Sequence, residues 1–447
     1  MNRALPRRAL TAATALTVGV LQTATLVLGA AAQPAAAATG GSFSALTYNV
    51  AGLPEPLSGS EPAVNTTQIG ERVTAYDVVN VQEDFNYHAD LYSTDRHPYR
   101  TPTSGGVPFG SGLNTMSNYP LTDLERVTWS SCNGTDCLTP KGFTLARLRL
   151  AEGAYLDLYN VHANAGSTDA DLAARRSNIT QLAAYIAARS AGNAVVVMGD
   201  TNTRYTRAGD NIRELGAPLG LTDAWVQLIR GGTPPALGSP AISCDDTNIT
   251  ASFEVVDKVL YRGSRLISLT ATSYANENAG FRRADGAMLS DHYPISVRFS
   301  WAPAGALRAS DQFGGSGGTP FTDVERVGAA PASATIRSGS RVDQVSLTLA
   351  NGTVLGHGGT GGTARTLTLG AGEYLTSATL SAGSRNGGTR IFGVTLRTNL
   401  GRTLTGGTTT SNTVTYTAPS GYRIAGFAGR AGSEVDALAL IYAPSSP

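Results

Sequence analysis

The sequence predicts two folded domains, a layered α/β domain over residues 40–302 and an all-β domain over residues 311–443. Three observations carry this. Residues 40–302 mix strand-like apolar runs with one strong amphipathic helix. A small-residue linker, residues 303–310, interrupts the pattern. Beyond it the composition turns to Gly, Ser and Thr around short β-branched runs, with almost no helical pattern. At 447 residues, 41% of them hydrophobic, the chain is too long for one compact domain.

In the first domain the strand candidates are Phe43–Val50, Tyr76–Gln82, Ala154–Val161, Ala194–Gly199, Phe253–Tyr261 and Tyr293–Trp301. Asp169–Ala191 reads as a helix, because Ile179, Leu182, Ala183 and Ile186 fall on one face. In the second domain the strands are Gln344–Leu349, Thr366–Leu369, Ile391–Arg397, Thr413–Tyr416 and Ala437–Tyr442. Their regular apolar alternation argues against low-complexity disorder.

Residues 1–38 stand apart from both domains. Arg3, Arg7 and Arg8 precede an apolar run, and small residues near Ala38 suit a signal peptidase. Thr, Gln and many Ala make that run weak as a permanent span. The expectation is a secreted, extracellular protein with no transmembrane segment in its mature chain. Removing residues 1–38 removes three Arg and no acid, which takes the net charge from +1 to −2. A near-neutral chain has no global field to gather nucleic acid. Export also permits a disulfide. Cys132 and Cys137 frame a turn-prone tetrapeptide and are the first choice, which leaves Cys244 unpaired, though pairing of either with Cys244 stays open.

The chemistry sits where polar residues abut apolar strands. Asn49 and Glu83 end two such runs, and His162 follows a third. Asp200 and Asn202 follow Val-Val-Val-Met-Gly, Asp257 lies in Glu-Val-Val-Asp-Lys-Val-Leu, and Asp291-His292 precedes Tyr-Pro-Ile-Ser-Val. Singly, each has a bland reading as a turn, cap or edge residue. Together they form a set, since strand ends are where α/β sheets gather their sites. Carboxylate and carboxamide oxygens suit Mg²⁺ or Mn²⁺, whereas Zn²⁺ favours a close His or Cys cluster, and the sequence has none. Hydrolysis of a phosphodiester needs an activated water, neutralised phosphate charge and a stabilised leaving oxygen. Two histidines and such a carboxylate set supply these.

Thr47-Tyr-Asn49, Val81-Gln-Glu83, Val197-Met-Gly-Asp-Thr-Asn202 and Leu289-Ser-Asp-His-Tyr-Pro294 resemble, in order, the signature segments of the endonuclease/exonuclease/phosphatase superfamily. That family includes deoxyribonucleases, abasic-site endonucleases, sphingomyelinases and inositol polyphosphate 5-phosphatases. The resemblance implies a four-layer sandwich of two sheets with helices outside. It implies Glu83 as principal metal ligand, Asn49 as metal ligand or phosphate contact, and Asp291 as a further metal ligand. Asp200 and Asn202 would orient water and phosphate. His292 would be general base or phosphate contact, with Asp257 holding its imidazole. His162, in Tyr159-Asn-Val-His162-Ala-Asn164, resembles the second histidine of the deoxyribonuclease and sphingomyelinase branches. It would donate to phosphate or the leaving oxygen, and Lys141, Asn164 and Arg204 would contact substrate. Lys141-Gly142 is similar to a pair in sphingomyelinase-like members. Lys258, the other lysine of the chain, reads instead as a structural ion-pair residue on the opposite strand face.

Gly314-Gly-Ser-Gly-Gly318 and Gly432-Ser-Glu-Val-Asp436 resemble the two ends of a jacalin-type lectin domain, a β-prism. The resemblance implies a mannose-type or related glycan, held by amides of Gly318, Ser433 and Glu434 and by the Asp436 carboxylate. Adjacent sugar hydroxyls suit a bidentate carboxylate, and glycine permits close approach. The expected whole is a metal-dependent phosphodiesterase acting on a lipid or glycan phosphate, tethered at a cell surface or peripheral membrane contact by its lectin. Sphingomyelinase-like action ranks first. An extracellular DNase is the alternative, favoured by a basic groove of Arg96, Arg100, Arg204 and Arg207. An inactive carbohydrate-binding adhesin is a third reading, and it predicts a missing site residue.

Overall fold

The computed structural model describes Met1, residues 39–243 and residues 248–445. The expected signal peptide, residues 1–38, lies outside the described residues apart from Met1, and so does Cys244. Among the described residues, no helix is long and apolar enough to cross a membrane.

The first domain is built on two six-stranded sheets. One runs Ile267–Asn276, Ile295–Pro303, Gly41–Asn49, Val78–Gln82, Asn114–Ser117, Tyr99–Arg100. The other runs Leu121–Thr128, Gly142–Ala151, Ala154–His162, Ala194–Asp200, Asp257–Arg262, Thr222–Asp223. Their facing sides form one core, with Phe43, Ala45, Val297 and Phe299 against Leu156, Leu158, Val196 and Met198. Each outer face carries helices. Ile179, Leu182 and Ile186 of the helix Asp169–Arg189 cover Phe143, Tyr159 and Val197. Ile69 and Val73 of the helix Pro62–Val73 cover Leu46, Tyr48 and Val81. The result is the four-layer α/β sandwich.

The long helix starts at a capping box, in which Thr168 and Asp171 satisfy each other's backbone amides. Other elements were less visible in sequence. The helix Pro62–Val73 and the strands Leu121–Thr128 and Gly142–Ala151 are not among the expected elements, although Ala146, Leu148 and Leu150 alternate with Arg147 and Arg149. The expected strand Phe253–Tyr261 begins only at Asp257. Upstream, Glu254 turns inward, accepts from Thr206 and pairs with Lys258 at 3.3 Å, so its backbone belongs to a loop. Lys258 thus points away from the site, into a buried ion pair.

A polar ladder crosses the apolar sandwich. Asn80 donates to the Tyr159 carbonyl at 3.0 Å. Asn160 donates back to the Val81 and Asn114 carbonyls at 2.9 and 3.0 Å, and Gln82 donates to Asn160 at 2.8 Å. Every member is buried. Satisfied bonds of this kind fix the register of one sheet on the other, since an unpaired amide here is costly.

The second domain has three sheets around one core, the β-prism arrangement. Ile336, Val345 and Leu347 come from one sheet, Leu380, Ile391 and Val394 from the next, and Ile424, Phe427 and Leu440 from the third. Residues 303–310 are bound at both ends. Ala304 donates to the Leu266 carbonyl, and Arg308–Ala309 pairs with Tyr442 and Ile441. Asp311 then accepts from the Arg149 guanidinium, the Gly153 amide at 3.0 Å and the Tyr155 hydroxyl at 2.8 Å. This joins the second domain to the first.

Candidate functional site

Two parallel strand pairs end at the same edge of the sandwich. Asn49 lies beside Gln82 in one pair, and His162 beside Asp200 in the other. Asp257 faces Asp200 across the next, antiparallel pair. Rigid strands therefore deliver residues 49, 83, 162, 200 and 257 to one edge, where parallel strands commonly place a site. Glu83 follows its strand at a φ of 57°, in the left-handed region that is costly for a side-chain-bearing residue. Its carbonyl holds that turn, accepting from the amides of Gly52 at 3.0 Å and Phe85 at 2.9 Å.

The side chains converge. Asn49 Nδ2 lies 3.1 Å from Glu83 Oε1 and 3.2 Å from Asp200 Oδ2. His162 Nε2 lies 3.4 Å from Asp200 Oδ2 and 3.8 Å from Glu83 Oε1, and Lys141 Nζ is 3.1 Å from the same nitrogen. His292 Nδ1 is 3.1 Å from Asp257 Oδ2, and its Nε2 is 3.7 Å from Asp200 Oδ2. Asp200 Oδ1 accepts from the Asn202 amide at 2.9 Å.

Burial sets the charges. It pushes the Asp200 carboxyl up to about 6; the Asp257 charge adds to the rise, and His292 opposes it. Burial pulls the His292 imidazole down, but the charges of Asp257 and Asp200 outweigh this and hold it well above its ordinary value. His162 goes the other way: burial, then the charges of Lys141 and His292, hold it well below its ordinary value. The two imidazoles are thus driven in opposite directions by their partners.

The donor set fits a divalent cation. Asp200, Asp257 and His292 each present a ligand atom within 4.8 Å of the others. Asp257 Oδ1 is buried without a hydrogen-bond partner, an orphaned anionic oxygen. Hard carboxylate oxygens gathered around buried negative charge are what Mg²⁺ or Mn²⁺ takes.

Other predicted residues lie elsewhere or are already engaged. The Asp291 carboxylate is turned toward Gly59, where a Cβ would stand 2.2 Å from its Oδ2. It is not part of the Asp200, Asp257, His292 cluster. Asn164 accepts from the Asn133 amide at 2.7 Å and donates to the Ala165 carbonyl at 2.8 Å, bracing the loop that the Cys132–Cys137 disulfide closes. Arg204 donates to the Glu254 carbonyl. Asn202 donates to the Ala163 carbonyl at 3.1 Å. Asn49, as placed, accepts from the Ala51 amide at 3.0 Å and turns its NH₂ to the carboxylates. Sequence reasoning missed Asp136, which pairs with Lys141 at 2.6 Å and aims it at His162. It also missed the ladder residues Asn80, Gln82 and Asn160; the signal was an Asn inside each of two otherwise apolar strands.

In the second domain the glycine-rich loop meets the final loop. Gly315 donates to the Asp436 carbonyl at 2.8 Å, and a Cβ on Gly317 or Gly318 would fall 2.4 or 2.5 Å from the Asp436 carboxylate. Gly318 has a φ of 63°, which favours glycine. Asp436 is 3% exposed and pairs with Arg390 at 2.9 Å. Glu434 pairs with Arg341, and Ser433 is exposed.

Comparison with known proteins matches both halves. A family model for endonuclease/exonuclease/phosphatase family 2 matches residues 61–233, and one for the jacalin-like lectin domain matches residues 310–441. A sphingomyelinase of Mycobacterium tuberculosis is 41% identical over 270 residues, 58% of this chain and 53% of that protein. The chain therefore spans about half the length of that relative. Horcolin of Hordeum vulgare is 32% identical over 138 residues, 30% of this chain and 94% of horcolin. The crystal structure of sphingomyelinase C from Streptomyces griseocarneus is 20% identical, with a TM-score of 0.39, covering 58% of this chain and 99% of that one. The chain thus carries an endonuclease/exonuclease/phosphatase domain over residues 61–233 and a jacalin-like lectin domain over residues 310–441.

Proposed function

We propose that the chain is an exported phosphodiesterase that hydrolyses a lipid phosphodiester, of the sphingomyelin type first, while its lectin domain holds it at a glycan-bearing surface. The observation that carries this is the convergence of Glu83, Asp200, Asp257, His162 and His292 at one edge of the sandwich. A divalent cation, when bound, supplies neutralisation of phosphate charge and acidifies water. Glu83 and Asp200 would hold it, with Asp257 adjoining.

The chain's own groups do the rest. His292, oriented by Asp257 and neutral once cation charge offsets the two carboxylates that keep it protonated, takes the proton from a water that attacks phosphorus. The bond from phosphorus to the alcohol oxygen breaks on the opposite side, the alkoxide takes a proton from solvent, and His292 returns its proton to solvent. Lys141, aimed by Asp136 at His162, places positive charge near that leaving oxygen or the phosphate. Asn49 and Asn202 sit as amide contacts at the rim of the carboxylates.

Three observations support lipid over DNA. The relatives from Mycobacterium are sphingomyelinases by name. Three of the four arginines of the basic groove are engaged internally: Arg100 with Asp95, Arg204 with the Glu254 carbonyl, Arg207 with Asp210. A cavity of about 430 Å³ beside Lys141 is lined by Phe109, Trp129 and Leu138, and both Phe109 and Leu138 are exposed. Export is supported by the disulfide Cys132–Cys137.

The test is a substrate panel of sphingomyelin, inositol lipid, plasmid DNA and a glycan phosphodiester, with and without chelator. The expected result is chelator-sensitive cleavage of sphingomyelin, lost in Glu83→Gln and His292→Ala. Preference for plasmid DNA overturns the substrate; activity indifferent to chelator overturns the mechanism.

A further inference from the structure

The first domain faces the glycine-rich loop of the second across a cleft of about 740 Å³. Thr122, Arg147, Arg149 and Tyr155 line one wall, and residues 314–317 and 386–390 line the other. A volume in the range of about 300–1,000 Å³ holds a drug-sized ligand, so there is room for more than one sugar ring.

The cleft adjoins the Asp436 loop. Gly317 lines it, and a Cβ there would stand 2.4 Å from Asp436 Oδ1. Arg390 lines it too and pairs with the same carboxylate at 2.9 Å. A sugar held on Asp436 thus lies beside the cleft, with bare glycine between.

The two walls are fixed to each other. Arg430 donates to the carbonyls of Gly317 and Gly318 at 2.9 and 3.0 Å, and its Nη2 lies 3.4 Å from Glu125 of the first domain. Gln312 donates to Asp123 at 3.4 Å. The edge strand Leu121–Thr128 is shaped to meet them. Its pairing slips between Thr122 and Glu125, and Asp123 sits at a φ of 53°. A bulge of this kind re-aims side chains. Thr122 stays exposed on the wall. Walls held at a fixed spacing need little ordering when a ligand enters.

The lining suits a neutral ligand. Each of its arginines is already neutralised: Arg147 by Asp157 at 3.1 Å, Arg149 by Asp311 at 2.7 Å, Arg390 by Asp436. What remains is hydroxyl, amide and backbone, from Thr122, Ser316, Asn386 and Thr389. These groups both donate and accept, as sugar hydroxyls require.

We propose that this cleft is a subsite for the neutral hexose residues next to the one held on Asp436, so that the first domain reads part of the glycan that tethers it. The proposal rests on the reading of the Gly318 and Asp436 loops as sugar-binding.

Calorimetric titration of the full chain with methyl α-mannoside and with a linear α-mannotriose tests this. The trisaccharide should bind about tenfold tighter, the effect of one or two added hydrogen bonds. Thr122→Trp fills the cleft from the first domain alone. It should bring the trisaccharide down to the affinity of the monosaccharide and leave the monosaccharide unchanged. Equal affinities in the wild type, or an advantage that survives Thr122→Trp, would overturn the subsite and leave the Asp436 site standing. Binding of neither sugar would overturn both. Should Thr122→Trp fail to fold, the wild-type amide resonance of Thr122 decides. It should shift with the trisaccharide and stay still with the monosaccharide; no shift with either sugar overturns the subsite.

Discussion

Asp257 lies directly opposite Asp200 across adjacent antiparallel strands, and His292 leans on both carboxylates. This pairing of two acids in one buried position is the feature from which the site's charge balance follows. It holds the His292 imidazole between two anionic oxygens and leaves negative charge for a cation.

The first prediction concerns that brace. Asp257→Asn removes the charge that most raises His292. The His292 pKa falls, so the limb of the pH–rate profile that reports it moves to lower pH, whichever protonation state is active. The loss in kcat/KM should be of the order of 10²–10⁴-fold, the usual contribution of a positioned acid or base. Profiles of the wild type and variant over the same pH range check it.

The second concerns the cation. Mg²⁺ or Mn²⁺ should raise the unfolding temperature, because it relieves the repulsion between Asp200 and Asp257. At a hundredfold excess over Kd the gain is about 2.7 kcal/mol. Glu83→Gln and Asp200→Asn should lose most of this shift in a thermal scan with and without metal.

The third concerns the polar ladder. Asn160→Leu takes one of two acceptors from the Gln82 amide, which keeps the Thr47 hydroxyl at 3.1 Å, and removes the side-chain donor to two carbonyls inside the sandwich. Each buried group left unpaired costs about 1–3 kcal/mol, far more than the apolar side chain recovers. Urea denaturation should show a lower midpoint with an unchanged slope. Activity should fall as well, because Gln82 precedes Glu83.

The fourth concerns the junction of the domains. Burial pulls the Asp311 carboxyl up, but Arg149, Gly153 and Tyr155 outweigh it and hold it below its ordinary 3.8. Such a group stabilises fully above its ordinary value and loses that contribution as pH falls through the lowered one. The junction should therefore hold through mildly acidic pH and loosen below about pH 4. Asp311→Ala should loosen it at neutral pH. Hydrogen exchange at Gly153 and at Ala309 reads both effects.

How much of this was legible beforehand varies by residue. Asn49, Glu83, His162, Asp200, Asp257 and His292 could be picked out because each follows or interrupts an apolar strand, a pattern that needs only local sequence. The capping box and the face of Ile179, Leu182 and Ile186 were legible for the same reason. The helix Pro62–Val73 was not, since half its buried positions are polar or small: Asn65, Thr66 and Gly70.

The sequence alone determined the two-domain order, the alternation of strands and the set of chemical groups available, because backbone preference and periodicity are short-range properties. Tertiary structure decided which groups meet. It turned Asp291 toward Gly59, spent Asn164 and Arg204 on loop carbonyls, aimed Lys141 through Asp136, and laid Arg390 on Asp436. Those outcomes depend on side-chain orientation and on contacts between residues far apart in the chain, which only packing of the whole fold fixes.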